Sequence, residues 1–206
     1  MSSTINTAVD FRFPMPWKDA LEQILPAQGS WTDEQYLLLT DRTRLPVEFT
    51  DGFVELLPMP SDKHQSILKR LLMAFDAFIS PRGGEVLFAP LRLRIREGKY
   101  REPDLLLLLS AGDPRREDRC WLGADLVLEI VSSDDKKRDT VDKPADYAEA
   151  RVPEYWIVDP ESETILVLEL KGGGYAEAGR FARGDLAASA LLTGFSVDTS
   201  SVFGSR

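Results

Sequence analysis

Three side chains in this sequence have the types and spacing to do chemistry together: Asp104, Glu129 and Lys143. Glu129 interrupts Leu126-Val127-Leu128 and Ile130-Val131, so an acid stands in the middle of the most apolar strand-like run of the chain. Taking an unpaired carboxylate out of water costs several kcal/mol, comparable with a whole domain's net stability, so the group must be paired, protonated or bound to a cation. Asp104 follows Pro103, whose fixed φ and missing N–H place the aspartate at the start of Leu105 to Leu109, with its side chain at a sheet rim. Two acids converging from neighbouring strands repel each other, yet both are good oxygen ligands for Mg²⁺ or Mn²⁺. Lys143 opens the next helical segment, which could fold back over the sheet and carry its ammonium to the acids. Such a set suits phosphodiester hydrolysis. The metal polarises a phosphoryl oxygen and a bound water, and the lysine offsets charge growing in the transition state. Taken singly, each residue has a plainer meaning. Pro-Asp is a turn, Lys143 is a solvated lysine, and Glu129 is the partner of Arg92, Arg94 or Arg96. The conjunction carries the inference.

The elements that must position these residues can be read from period and punctuation. Thr32-Asp33-Glu34-Gln35 is a capping box ahead of a short helix. Pro46 to Leu57 reads as strand, Asp51-Gly52 turn, strand. Ile67, Leu68, Leu71, Leu72, Phe75 and Phe78 recur at three and four, which predicts a helix from Ser61 to about Ser80, closed by Pro81 and Gly83-Gly84. Leu91, Leu93 and Ile95 alternate with Arg92, Arg94 and Arg96, a strand with one basic face. Leu105 to Leu109 and Leu126 to Val131 are short and apolar enough to be central strands covered on both sides. Asp139 to Arg151 reads as a helix, Glu154 to Val158 as a strand, Asp159-Pro160 as a turn, and Ile165 to Leu170 as the returning strand. The tail, with Val197 to Phe203, adds further short strands and an edge. A short helix around Lys18 to Leu25 sits in an arm over residues 1–30, and residues 31–206 form one α+β (α/β) domain with a mixed sheet and helices.

Composition narrows the function. The chain has 206 residues, 43% hydrophobic and 29% charged, enough to bury a core without staples. Its longest apolar run falls far below the ~18 to 20 residues of a bilayer crossing, and its first ten residues lack a basic, apolar signal segment. A cytoplasmic protein with no membrane partner is expected. One cysteine and one histidine cannot build a zinc cage. A net charge of −9 argues against a high-affinity nucleic-acid coat protein, while leaving room for a local basic groove. Arg92, Arg94 and Arg96, with Lys99 and Arg101, are the candidates for weak, salt-dependent contacts to nucleic acid. The basic half of Asp134-Asp135-Lys136-Lys137-Arg138 is a second candidate for backbone contact.

The sequence resembles the Uma-type restriction endonucleases of the PD-(D/E)XK nuclease superfamily. The likeness runs from about Trp31 to Phe203. It rests on Thr32-Asp33-Glu34-Gln35-Tyr36, Glu48 before Asp51-Gly52, His64 opening a helix, and Arg101-Glu102-Pro103-Asp104. Further along it includes Asp125 to Ser132, Asp139 with Lys143 and Tyr147, and above all Val152-Pro153-Glu154-Tyr155-Trp156-Ile157-Val158-Asp159-Pro160. The resemblance implies a restriction-endonuclease-like αβββαβ core and a mixed central sheet flanked by helices, with added N-terminal and C-terminal strands. It implies a metal site of Asp104 and Glu129 helped by the Ile130 carbonyl, Mg²⁺ or Mn²⁺ as cofactor, DNA as substrate, and a homodimer. The family's lysine usually lies two residues after the glutamate. Val131 holds that position here, so the role passes to Lys143. His64 is either a satisfied core histidine or a polar group over the metal pocket. Glu48 is either an edge-strand acid or an extra residue of the metal's shell. The alternative to an endonuclease is a non-catalytic dimeric binding or regulatory module that keeps the nuclease fold.

Overall fold

The computed structural model describes residues 25–43, 45–132 and 142–204. The helix expected around Lys18 to Leu25 lies outside these residues but for Leu25, as do the start of the helix expected from Asp139 and the basic stretch Lys136-Lys137-Arg138. In chain order the elements are α1 (Asp33–Arg42), β1 (Val47–Thr50), β2 (Phe53–Leu56) and α2 (Asp62–Ile79). Strands β3 (Glu85–Phe88), β4 (Leu93–Arg96), β5 (Lys99–Arg101), β6 (Leu105–Leu108) and β7 (Leu126–Ile130) follow. Then come α3 (Lys143–Glu149), β8 (Glu154–Asp159), β9 (Thr164–Lys171), β10 (Gly174–Ala182), β11 (Leu186–Ala188), β12 (Ser196–Asp198) and α4 (Thr199–Phe203).

The main sheet runs β10-β9-β8-β7-β6-β3. β7 and β8 pair in parallel and the other neighbours antiparallel, giving a mixed sheet. A parallel pair needs a crossover connection, and α3 lies on that connection. Because successive side chains alternate, the apolar runs of β6 and β7 feed two cores. Leu105, Leu107, Leu126 and Leu128 pack with Ile67, Leu71 and Phe75 of α2 and with Trp156. Leu106, Leu108, Val127 and Val131 face the other way, against Leu93, Trp121, Tyr147 and Tyr155.

A second sheet, ordered β2-β1-β5-β4, covers part of that opposite face. The β1–β2 hairpin turns at Asp51-Gly52, both with positive φ (47° and 88°), as a tight two-residue turn requires. Helix α1 seals this sheet's other side through Tyr36, which stacks on Phe49 at 5.2 Å and donates its hydroxyl to the Val47 carbonyl at 2.9 Å. The capping box forms as expected: Thr32 Oγ1 accepts from the Gln35 N–H at 3.3 Å, and Gln35 Oε1 accepts from the Thr32 N–H at 2.9 Å.

Two expectations change. Glu48 is on an inner strand, because β1 is paired on one side with β2 and on the other with β5. That second pairing joins residues some fifty positions apart, which no local period announces. The tail from Val197 to Phe203 is strand only as far as Asp198. There the aspartate accepts from the Ser200 N–H at 2.9 Å and starts α4 as its N-cap.

Candidate active site

The register of the central strands brings the two acids together. Leu105 faces Leu128 across the antiparallel β6–β7 pair, so one step before the start of β6 sets Asp104 opposite Glu129. Asp104 Oδ2 accepts the Ile130 N–H at 2.7 Å and lies 3.1 Å from His64 Nε2. Its Oδ1 accepts no hydrogen bond from the described residues. Glu129 points to the same side as Val127 and Val131, where its side chain is 4% exposed and Lys143 Nζ meets its Oε2 at 2.9 Å. Tyr147 donates its hydroxyl to Glu129 Oε1. Burial, and after it the Glu129 charge, raises the Tyr147 hydroxyl's pKa well above its ordinary range, so it stays a donor.

The buried acid is therefore answered by an ammonium and a phenol from α3. Arg92 is committed to Thr40 at 2.7 Å and Asp41 at 2.8 Å, and Arg96 to Asp51 and Glu149. Arg94 is exposed on β4. None of the three lines the cleft described next.

A cleft of about 430 Å³ opens over the acids. Glu102, Asp104, Glu129 and Lys143 line it, together with Lys63 and His64 from the first turn of α2. Leu57, Pro58 and Met59, on the chain leading into the helix, supply an apolar wall. His64 reaches this place because Ser61 caps α2, accepting the His64 N–H at 3.2 Å, and the helix then runs inward along its Ile67-Leu71-Phe75 stripe. His64 is thus not a core residue; its Nε2 steadies Asp104.

Glu102 sits two residues before Asp104, on the same side of an extended chain. It is 6% exposed, and its Oε2 has no hydrogen-bond partner among the described residues. Burial first, and the Glu48 charge second, pushes its carboxyl up to about 7. Glu48 itself is 1% exposed and does not line the cleft. It lies 3.4 Å from Arg101 Nε, and Arg101 in turn holds Asp146 of α3 at 2.7 Å. Lys99 also pairs with Asp146. The small sheet thereby clamps the helix that presents Lys143, which gives Glu48 a supporting place one layer behind the cleft.

The donor set fits a hard divalent ion. Among the described residues no three His, Cys, Asp or Glu side chains stand close enough to cage a metal. Two carboxylates are nevertheless what Mg²⁺ typically takes from a protein, since it keeps several waters and substrate oxygens. Asp104 would bind an ion through its open Oδ1, whereas Glu129 would have to do so through lone pairs left beside Lys143 and Tyr147, since each of its oxygens already has a partner. Two residues of this site were not singled out for chemistry by their types. Tyr147 was legible as the i,i+4 neighbour of Lys143 on one helix face, and Glu102 as the i,i+2 neighbour of Asp104.

Comparison with known proteins agrees with this architecture. A search of curated proteins gives no match. Among solved structures, the chain is similar to a protein from Anabaena variabilis ATCC 29413 described as a "putative nuclease". The TM-score is 0.70 at 19% identity, over 86% of this chain and 98% of the other, a likeness of fold. Among the described residues, no helix is long and apolar enough to cross a membrane. Residues 33–200, which hold both sheets' central strands and every residue named in the cleft, match the family described as "Putative restriction endonuclease", and the chain accordingly belongs to the Uma2 family.

Proposed function

We propose that this protein is a divalent-metal-dependent endonuclease that hydrolyses phosphodiester bonds in DNA, using Mg²⁺ or Mn²⁺ in the cytoplasm and working as a homodimer. The observation that carries the reading is the juxtaposition of Asp104 and Glu129 in one cleft, with Lys143 on the glutamate. Family membership and the neighbour's description point the same way. Asp104 and Glu129 would hold the ion, which would supply Lewis acidity to a phosphoryl oxygen and lower the pKa of a bound water.

The chain's own residues have definite tasks. The Ile130 N–H and His64 fix one oxygen of Asp104, leaving the other directed to the ligand. Tyr147 orients the Glu129 carboxylate by donating to one oxygen. Lys143 balances the charge of Glu129 before substrate arrives and of the phosphorane-like transition state afterwards. The side chain is 7% exposed, in surroundings of low polarisability where its charge counts for more than in water.

Binding of the ion is tested first by stability. At 100 times its Kd, Mn²⁺ adds about 2.7 kcal/mol, which raises the melting temperature by about 5–10 °C for a domain of this size. Asp104→Asn is expected to abolish that rise while melting close to the wild type without metal. No rise in the wild-type protein would reject the metal site. Hydrolysis is then assayed with Mn²⁺ on single-stranded and duplex DNA, and cleavage of neither would favour the binding-module reading.

A further inference from the structure

Resting on the nuclease reading, we propose that the cleft takes DNA as a single strand, with Lys63 on a backbone phosphate and the Leu57–Pro60 wall against the adjoining base. Three observations carry this. The first is the wall's chemistry. Leu57, Pro58, Met59 and Pro60 line one side of the cleft, and Met59 is 71% exposed. The outside of a duplex offers mainly charged phosphates, which gain little from an apolar flank. An unstacked base has an apolar face that does; single strands are usually held on aromatic side chains, and here aliphatic ones would take that place.

The second is the placement of cationic charge. Lys63 stands at the rim in the first turn of α2, its Nζ 2.6 Å from the Pro160 carbonyl, an acceptor without formal charge. Its ammonium therefore remains available to a phosphate, beside the helix end whose amides favour anions. On the basic strand, by contrast, Arg92 and Arg96 are spent on Asp41, Asp51 and Glu149. Duplex affinity grows with the number of phosphates that Lys and Arg neutralise. Here the cleft holds Lys63 and Lys143 among acids that include Asp159 and Glu161, and Lys143 is taken by Glu129, so it offers a phosphate one ammonium, that of Lys63.

The third is size. A volume of about 430 Å³ falls in the range of pockets that enclose a small molecule. It admits a nucleotide or two leading to Asp104 and Glu129. A duplex would reach the acids only after local unpairing.

The test is fluorescence anisotropy in EDTA, so that binding is read apart from hydrolysis. The probes are a short labelled single-stranded DNA and the blunt duplex of the same sequence. The single strand is expected to bind about tenfold more tightly. Met59→Ser should weaken the single strand several-fold and leave its salt dependence unchanged. Lys63→Gln should reduce the slope of log K against log salt by about 0.7, one single-strand phosphate contact. Both positions are exposed, and circular dichroism verifies that each variant folds. Equal or tighter duplex binding, binding of neither probe, or a Met59→Ser affinity equal to wild type would overturn the proposal. These outcomes are separable from failure of the nuclease reading. That failure would appear as no cleavage of either probe with Mn²⁺, whichever strand form binds.

Discussion

Asp104→Asn is expected to lower Mn²⁺-supported DNA hydrolysis on the order of 10³-fold, the scale seen when a group stabilising transition-state charge is removed. The substitution is nearly isosteric. Its amide oxygen can still accept the Ile130 N–H that Asp104 Oδ2 accepts at 2.7 Å, so the local backbone keeps its partner. What disappears is the negative charge of a carboxylate that lines the cleft. A single-turnover assay with saturating Mn²⁺ measures the chemical step, and a urea melt run in parallel reports folding. A large rate loss with an unchanged melt assigns Asp104 to catalysis. Hydrolysis within a few-fold of wild type would remove Asp104 from the site and with it the two-carboxylate mechanism.

The second large effect is on stability and falls outside the cleft. Glu154 is fully buried at the start of β8, and its carboxylate accepts three hydrogen bonds. Trp156 Nε1 donates at 2.6 Å, Ser189 Oγ at 2.7 Å and the Leu191 N–H at 2.7 Å. The acid thus ties a central strand to the loop between β11 and β12. Glu154→Ala would leave these donors facing a cavity. Each unsatisfied buried donor costs about 1–3 kcal/mol, so a loss of about 3–5 kcal/mol is expected, partly offset because the buried charge itself is gone. Equilibrium urea unfolding measures it. Glu154→Gln, which keeps an acceptor oxygen, should recover part of the loss. A change below about 1 kcal/mol for alanine would show that the loop finds other partners.

Glu154 and Glu129 make a useful pair for judging what a sequence discloses. Both are acids in strongly apolar strands, and both are buried. The cost of desolvation announces that each must be answered, but it does not say by what. Glu154 is answered by neutral donors from its own strand and a distant loop, while Glu129 is answered by Lys143 and Tyr147 across a chain crossover. The arginines that alternate along β4 were equally plausible partners by spacing. Two of them instead reach Asp41, Asp51 and Glu149, whose positions follow from the fold of α1, the β1–β2 turn and α3.

By itself the sequence determined the types of the long elements, though not β3, β5 or the helix that ends the tail, and with them the capping box, the Asp51-Gly52 turn, the two-sided strands and the presence of an acid that needed a partner. These follow from interactions spanning a few residues: side-chain periods, terminal hydrogen bonds and the cost of moving charge out of water. Only the tertiary structure decided that His64 steadies Asp104, that Glu48 braces α3 through Arg101 from an inner strand, and that Lys143 with Tyr147 neutralises Glu129. Those choices depend on which distant segments share a sheet or a face. The free energy that selects them comes from burial summed over the whole core, so no local stretch of sequence carries it.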